Sequence, residues 1–252
     1  MLKRTLLLFS LFFIACAPVS QSEFKVIKVI DGDTVKLSNG RLLRYIGIDT
    51  PEVRIKKNGK FMYQPQPFSL EAKEYNRKLV EGKTVNVEFD IVKEDRYQRL
   101  LGYCFIEGIL VNADLIEQGL AVLYTYPPNI KHVKDFTKAQ SRARKDKKGL
   151  WGFYEAISSD EAERFVNQIR TVRGRILSTY NSGKVIWLNF GQNYKKDFTV
   201  AIFKNSFKYF HNKGIQPESF YKGKMVEITG KIREYNGPEI IVNTPYEINI
   251  IE

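Results

Sequence analysis

Hydrophobic and polar residues alternate in short stretches along the first half of the chain, which is typical of β-strands with one buried face. The clearest stretch covers residues 29–48, with alternation on both sides of Asn39-Gly40. It predicts a β-hairpin, because Asn and Gly accept the positive φ angles of a tight primed turn. Further strands are predicted to begin at Phe24 and to cover residues 83–90 and 100–106.

Helical spacing of apolar residues predicts three helices in the same half, over about 69–81, 112–120 and 131–148. The last of them has a narrow apolar stripe, formed by Val133, Phe136, Ala139 and Ala143. Residues 53–68 show neither period and are rich in Lys, Asn, Gly, Gln and Pro, so a long exposed loop is predicted there.

The second half of the chain begins with a predicted linker helix over 155–169, where Ser158 and Glu161 have the spacing of a capping box. Alternation then resumes from residue 170 to the end. Three strands, a helix and two strands follow one another, at 172–179, 184–190, 198–203, 205–212, 225–234 and 239–250. This is the order of elements in an OB-fold, so a second, OB-like β-barrel is predicted over 170–252.

The composition favours a polyanionic partner. The chain has 252 residues, enough for one large or two modest domains, and its formal charge is +12, from 40 Lys and Arg against 28 Asp and Glu. Such an excess suits nucleic acid or an anionic membrane face, while a lysine-rich surface that serves only solubility is the alternative. The formal charge is +7 over 23–153, −3 over 154–169 and +6 over 170–252, so charge does not say which half holds a polyanion.

Residues 1–22 are predicted to be a signal peptide and spacer. Lys3 and Arg4 precede a short apolar stretch, and Cys16 follows a small residue, an arrangement that resembles a bacterial lipoprotein signal with a lipidated Cys16 as the mature N-terminus. Phe13 departs from that pattern, so ordinary secretory cleavage is the alternative. The protein is expected to be exported, either lipid-anchored to the bacterial cell envelope or secreted or periplasmic. Cys104 would then be the remaining cysteine, so no disulfide is expected.

Candidate chemistry is concentrated around the predicted hairpin. Pairing of its strands would bring Asp33, Asp49 and Glu52 into a small volume with the cation Arg44. Like charges raise each other's pKa and destabilise the fold, so such crowding indicates a metal or catalytic site. Two turns capped by aspartate are the alternative. His132 and His211 do not have metal-ligand spacing, which disfavours zinc.

The order of several short motifs resembles that of the staphylococcal nuclease (thermonuclease) family. These motifs are Asp31-Gly32-Asp33-Thr34, Arg44, Asp49-Thr50-Pro51-Glu52, Asp95-x-Tyr97-x-Arg99 and Tyr124-x-Tyr126. The resemblance extends from about residue 24 to 151, and it identifies 23–153 as a nuclease-like domain followed by the linker 154–169. It implies a mainly β fold with α, namely an OB-type five-stranded barrel with three helices. It also implies a calcium-dependent endonuclease that hydrolyses DNA and RNA.

The resemblance also assigns roles to individual residues. It implies that Asp33 and Asp49 are carboxylate ligands to Ca²⁺ and that Thr50 is a ligand through its backbone carbonyl. Glu52 would orient or deprotonate the attacking water. The other implied roles are contacts to the scissile phosphate by Arg44 and Arg99, and a nucleotide pocket lined by Tyr97, Tyr124 and Tyr126. The donor types suit this chemistry, since Ca²⁺ prefers oxygen ligands and guanidinium groups bind phosphate bidentately.

The sequence departs from the family pattern at three places, which concern substrate shape and entry, the equivalence of Tyr124, and packing after Arg99. The loop between Glu52 and Glu71 is longer, one residue is missing before Tyr124, and Leu100 replaces a smaller residue. The competing prediction is a non-catalytic nucleic-acid-binding surface lipoprotein. No protein partner is predicted, and a monomer is expected.

The second half resembles OB-type nucleic-acid-binding domains in its pattern alone. Its aromatic residues Trp187, Phe190, Tyr194 and Tyr235 could stack on bases, or they could pack in the core or at its rim.

Overall fold

The computed structural model describes residues 21–57 and 59–251. The predicted signal segment with Cys16 lies outside the described residues. Within the described part of the chain, no helix is both long and apolar enough to cross a membrane.

The first half of the chain folds into short strands and four helices, here numbered in chain order. The strands are β1 (Gln21–Asp31), β2 (Thr34–Leu37), β3 (Leu42–Tyr45), β4 (Ile48–Asp49), β5 (Arg54–Lys57), β6 (Lys60–Tyr63), β7 (Thr84–Glu94), β8 (Leu100–Ile106), β9 (Ile109–Leu110) and β10 (Val122–Leu123). The helices are α1 (Ser69–Val80), α2 (Val111–Glu117), α3 (Val133–Lys145) and the short α4 (Leu150–Phe153).

Five of these strands close into a barrel. Hydrogen bonds join them in the order β3, β2, β1, β7 and β8, and a parallel pairing of β3 with β8 closes the ring. The inward positions of the strands fill the barrel with apolar side chains, including Val29, Leu43, Val85 and Tyr103. The apolar stripe of α3 is buried as its spacing predicts. The predicted five-stranded barrel with three helices is therefore confirmed.

The hairpin of β2 and β3 is confirmed with its turn at Asn39-Gly40 as predicted, but the predicted primed type of that turn is wrong. Thr34 pairs with Arg44 and Val35 with Leu43. The loop has three residues, 38–40, all described, and Gly40 alone among them has a positive φ, 83°. The side chain of Asn39 instead accepts a hydrogen bond from the backbone N–H of Arg41, at 3.0 Å. Such a loop combines an ordinary turn with one left-handed residue.

The prediction of an irregular loop over 53–68 is also wrong, because β5 and β6 form a small antiparallel hairpin there. All four side chains of β6 are exposed. With no buried face, this strand needs no alternation of apolar and polar residues, so the period that reveals other strands is missing.

Two predicted strands are longer in the structure. β1 begins at Gln21, inside the predicted spacer, where it pairs with Glu88 of β7. β7 continues past residue 90 to Glu94, which pairs with Leu100 across an irregular register. Pairing with β7 extends β1 through polar residues that the apolar pattern does not include, whereas β7 continues through Ile91 and Val92 to its pairing at Glu94.

The second half forms two further sheets. Its strands are β11 (Ile157–Ser158), β12 (Ile169–Arg175), β13 (Ser178–Asn181), β14 (Val185–Asn189), β15 (Thr199–Phe203), β16 (Met225–Lys231), β17 (Arg233–Glu234), β18 (Pro238–Ile241) and β19 (Ile248–Ile250). Its helices are α5 (Lys204–His211) and α6 (Pro217–Phe220), with a 3₁₀ turn at Pro245–Glu247. One sheet has the order β11, β12, β16, β19 and the other β13, β14, β15, β18, β17.

The predicted linker helix over 155–169 is wrong in type. The segment forms β11 and a 3₁₀ helix, Ser159–Phe165, whose capping box joins Ser158 and Glu161 as predicted. Ala162 is fully buried in the second core, so packing on that core sets the conformation of the segment. The division of the chain at 23–153, 154–169 and 170–252 stays a prediction.

Each half has its own hydrophobic core, and polar contacts join the two halves. The strongest set surrounds Glu247, which is 9% exposed. Its carboxylate accepts hydrogen bonds from the hydroxyl and the backbone N–H of Thr125 in the first half, at 2.8 and 3.2 Å, and from Asn243 and Thr244 in its own half. A buried carboxylate is stable only when hydrogen-bond donors surround it. Because the donors to Glu247 come from both halves, this cluster fixes the orientation of one half relative to the other.

Candidate active site

Arg44 links two of the predicted site carboxylates. Asp33 lies in the turn between β1 and β2, Arg44 on β3 and Asp49 at the end of β4. The guanidinium Nη1 of Arg44 is 3.0 Å from Asp33 Oδ2, and its Nη2 is 3.0 Å from Asp49 Oδ1. The hairpin register explains this meeting, because Thr34, next to Asp33, pairs directly with Arg44.

The Asp33 carboxylate is held on several sides. Its Oδ2 accepts hydrogen bonds from the backbone N–H and the hydroxyl of Thr50, at 3.2 and 3.0 Å, and its Oδ1 accepts one from the Thr34 hydroxyl at 2.9 Å. The preceding Gly32 fits tightly, since a Cβ there would lie 2.9 Å from atoms of both Ala72 and Thr50. The turn is thereby fixed between α1 and the Thr50 segment.

Burial and mutual repulsion raise the pKa values of two carboxylates at this site. Burial raises the pKa of Asp49 to about 6, where Asp33 and Glu52 add to the rise and Arg44 opposes it. Burial likewise raises the pKa of Asp31 to about 6, with Asp33 as the next cause. Asp31 thus belongs to the same cluster, although the sequence argument did not assign it to the site. The sequence signal that could have identified Asp31 is its position two residues before Asp33, in Asp31-Gly32-Asp33.

Glu52 lies in the loop after β4, and its partner comes from the second half of the chain. Its Oε1 accepts a hydrogen bond from Lys231 Nζ of β16 at 3.0 Å. Its backbone N–H donates to the side chain of Gln66, which in turn donates to the backbone carbonyl of Asn167 at 2.8 Å. Sequence reasoning missed Lys231, which lies 179 positions after Glu52.

Asp95 orients Arg99, the residue that immediately precedes β8. Its Nε donates to Asp95 Oδ2 at 2.7 Å, and Asp95 Oδ1 accepts the backbone N–H groups of Tyr97 and Arg99, at 2.8 and 3.0 Å. Burial alone would raise the pKa of Asp95, but these hydrogen bonds outweigh it, and the net effect is a lowered pKa. Asp95 therefore stays ionised and holds the guanidinium in place.

A cleft of about 410 Å³ brings the arginines and tyrosines together. Its lining includes Arg44, Arg99, Tyr97, Tyr124, Tyr126 and Arg233. All three predicted tyrosines thus line one cavity with both predicted arginines. Asp33 and Asp49 are not part of its lining, but both contact Arg44, which is. Arg233 was not predicted. It belongs to β17 of the second half and approaches the Tyr124 hydroxyl to 3.5 Å.

Comparison with known proteins identifies the family of the chain. Residues 42–152 match the family model described as staphylococcal nuclease homologue. The chain is 36% identical over 135 residues to a thermonuclease of Staphylococcus hyicus, a region that covers 52% of this chain and 77% of that protein. The chain belongs to the staphylococcal nuclease family. It is also 36% identical over 147 residues to endonuclease YncB of Bacillus subtilis (strain 168), covering 54% of this chain and 67% of that protein.

The family match covers some residues of the candidate active site and leaves others outside it. Asp49, Glu52 and Arg99 lie inside the matched region, whereas Lys231 and Arg233 lie outside it. The second half therefore supplies two cations to the candidate active site that the family domain does not contain.

The oxygen atoms of the candidate metal ligands are of the kind that calcium binds. Asp33 and Asp49 offer carboxylate oxygens, the ligands that Ca²⁺ prefers. Among the described residues, no three His, Cys, Asp or Glu side chains are grouped so as to hold a metal ion. Backbone oxygens must therefore complete the set, and the neighbouring Thr50 has one. Burial is the largest cause of the raised pKa of Asp49, and a bound cation would favour the ionised form of this carboxylate. These residues fit calcium.

Replacing Arg99 by alanine is expected to lower kcat/KM on DNA about 10²–10³-fold, because its guanidinium would stabilise the charge that develops on the phosphate. Arg77→Ala is the matched control, since Arg77 lies on α1 and pairs with Glu74 outside the cleft. The comparison requires steady-state kinetics of both purified variants. Equal activity of the two would exclude a phosphate-binding role for Arg99.

Proposed function

We propose that this chain is an exported, calcium-dependent endonuclease that hydrolyses phosphodiester bonds of DNA and RNA. Its family membership makes it a thermonuclease-like nuclease. The observation that carries the proposal is the contact of Arg44 with both Asp33 and Asp49, at 3.0 Å each, beside Glu52. This contact supports the assignment of metal ligands, a phosphate-binding cation and a carboxylate base to one site.

Asp33, Asp49 and the Thr50 carbonyl would hold the calcium ion. Bound calcium would polarise a phosphoryl oxygen and lower the energy of the developing negative charge. Arg44 and Arg99 bind the scissile phosphate, because planar guanidinium groups match its oxygens with paired hydrogen bonds. Both arginines have one side held by carboxylates, so their orientation is set before substrate arrives.

Glu52 acts on the attacking water. Its carboxylate accepts a proton as the water oxygen bonds to phosphorus, and the oxygen on the opposite side of the phosphate leaves. The contact with Lys231 keeps Glu52 in one orientation next to the aspartates. Tyr97, Tyr124 and Tyr126 line the same cleft and would contact the nucleotide beside the scissile phosphate.

The alternative, a non-catalytic nucleic-acid-binding lipoprotein, shares the charge and the cleft. It does not explain why metal-ligand, base and phosphate-binding residues all occur together. The complete set therefore favours the enzyme.

Calcium binding tests the metal assignment without relying on activity. Calcium at about 100 times its Kd is expected to stabilise the folded protein by about 2.7 kcal/mol, seen as a higher Tm. Asp49→Asn should lose this rise because it removes a ligand carboxylate. Asp146→Asn removes the same charge from an exposed position at the C-terminal end of α3 and should keep the rise. A calcium-induced rise of equal size in both variants would contradict the site.

Export is proposed from the sequence before residue 17 alone. Cys16→Ala is expected to move the protein from the membrane fraction of producing cells to a soluble fraction, because the lipid would have no attachment site. Immunoblotting of both fractions gives the answer. A wild-type protein found entirely in soluble fractions would instead favour ordinary secretion.

A further inference from the structure

The second half has a groove that the proposed active site does not use. It has a volume of about 620 Å³ and lies on the sheet of β13, β14, β15, β18 and β17, outside the family match. We call it the aromatic groove, and its defining residues are Tyr180, Trp187, Asn189, Tyr194 and Tyr235. Of the four aromatic residues singled out in the sequence, only Phe190 is excluded, because it is buried in the core against Phe198.

The rings of this groove are presented to solvent. Tyr180, Tyr194 and Tyr235 are 61%, 60% and 64% exposed. Tyr180 and Trp187 are directly paired across β13 and β14, and their rings are stacked with centroids 5.8 Å apart and planes inclined by 16°. The sheet therefore holds a flat aromatic platform in a fixed orientation. Flat rings of this kind favour ligands that are themselves flat.

A polar group in the groove points to a hydrogen-bonding ligand. Asn189 is 9% exposed, and its amide Nδ2 donates to the Ser178 hydroxyl at 3.2 Å. Its Oδ1 is buried without a hydrogen-bond partner among the described residues. An unpaired buried acceptor is unfavourable, and a small rotation of the Asn189 side chain towards the groove would let an N–H donor on a ligand satisfy it. Nucleobases combine a flat ring with such donors.

Charge and position favour nucleic acid over an uncharged ligand. Residues 170–252 contain 13 basic and 7 acidic side chains, and Lys195 lies 5.9 Å from the ring of Tyr194 at the groove. The groove also adjoins the active-site cleft. Arg233 lines the cleft and Tyr235 lines the groove, two positions further along the chain. In extended chain that separation is roughly 7 Å.

We propose that the aromatic groove is a binding site for the unpaired bases of single-stranded nucleic acid, flanking the phosphate held in the active-site cleft. Bases stack on the tyrosines and Trp187, and a base N–H donates to Asn189. Bases inside a duplex are already stacked and paired, so the groove selects single strands. The inference rests on the proposed function for the role of the cleft, but binding to the groove itself does not require cleavage.

The test measures binding in a calcium chelator, so that no cleavage is needed. The full-length mature protein is titrated into a fluorescein-labelled 20-mer of deoxyadenosine, and separately into its duplex with the complementary strand, with fluorescence anisotropy as the readout. The wild type is expected to bind the single strand more tightly than the duplex. Tyr180→Ala with Tyr235→Ala should weaken single-strand binding about tenfold or more, because each stacked base adds appreciably to affinity.

Two further variants keep the result interpretable. Asn189→Leu keeps a similar volume without the acceptor and should also weaken binding. Tyr209→Ala removes a tyrosine from α5, outside the groove lining, and should leave binding unchanged. Calcium-dependent hydrolysis of a small chromogenic phosphodiester should be unchanged in all three variants, since so short a substrate does not reach the groove.

The outcomes separate this inference from the proposed nuclease. Wild-type affinity in the groove variants, or equal affinity of the wild type for single strand and duplex, would overturn the groove assignment even if cleavage occurs. Weakened binding in a protein that never cleaves would keep the groove and overturn the proposed function. Binding of an uncharged polysaccharide in place of the oligonucleotide, lost in the same variants, would assign the groove to a different ligand and also overturn the inference.

Discussion

Removing calcium is expected to stop cleavage of single-stranded DNA. Asp33 and Asp49 each pair with one terminal nitrogen of the Arg44 guanidinium, and their negative charge suits a cation better than a phosphate. Without the metal these carboxylates repel the substrate, and the metal's stabilisation of the transition state, several kcal/mol, is lost. The rate should therefore fall by about 10³-fold or more. Release of acid-soluble nucleotides, followed before and after adding a calcium-selective chelator, measures the loss.

Restoring calcium should recover the rate, which separates metal removal from unfolding. Circular dichroism under the same conditions provides a second check that the protein remains folded. DNA binding without cleavage at any calcium concentration would support the non-catalytic lipoprotein instead. Full activity in the chelator would show that Asp33 and Asp49 do not act through calcium.

Changing Glu52 to glutamine is expected to lower kcat by about 10²–10⁴-fold, which is the usual contribution of a general base. Glutamine has nearly the same shape and can still accept a hydrogen bond from Lys231, 3.0 Å away in the wild type. It cannot take up a proton from water. Binding of an oligonucleotide should therefore remain, because Arg44 and Arg99 are unchanged.

Single-turnover cleavage and anisotropy, both measured with calcium present, distinguish the two effects. Glu155→Gln is the matched control, since it makes the same chemical change at an exposed position between the two halves. If Glu52→Gln turns over substrate as fast as Glu155→Gln, Glu52 is not the base. A loss of binding with unchanged turnover at saturation would assign Glu52 to substrate contact.

The fold of the first half could be predicted because burial leaves an apolar pattern in most of its elements. β8 begins and ends where a continuous apolar run does, since nearly all of its residues are buried, and the buried stripe of α3 is the one that helical spacing indicates. The hairpin β5–β6 leaves no period in the sequence, because the side chains of β6 are all exposed and no buried face imposes one on that strand. The linker was assigned an α-helix because its polar pattern is compatible with one, whereas Ala162 packing on the second core favours a 3₁₀ helix.

By itself the sequence determined the local part of the site. Pairing of β2 with β3 brings Asp33 to Arg44, because Thr34, next to Asp33, pairs with Arg44, and Asp49 follows Arg44 by five positions in the chain. The tertiary structure alone decided that Lys231 contacts Glu52 and that Arg233 lines the cleft. Residues this far apart in the chain meet only because the two halves pack on each other. The local pattern of apolar residues predicts strands and helices, but it does not predict which surfaces of the two folded halves will be in contact.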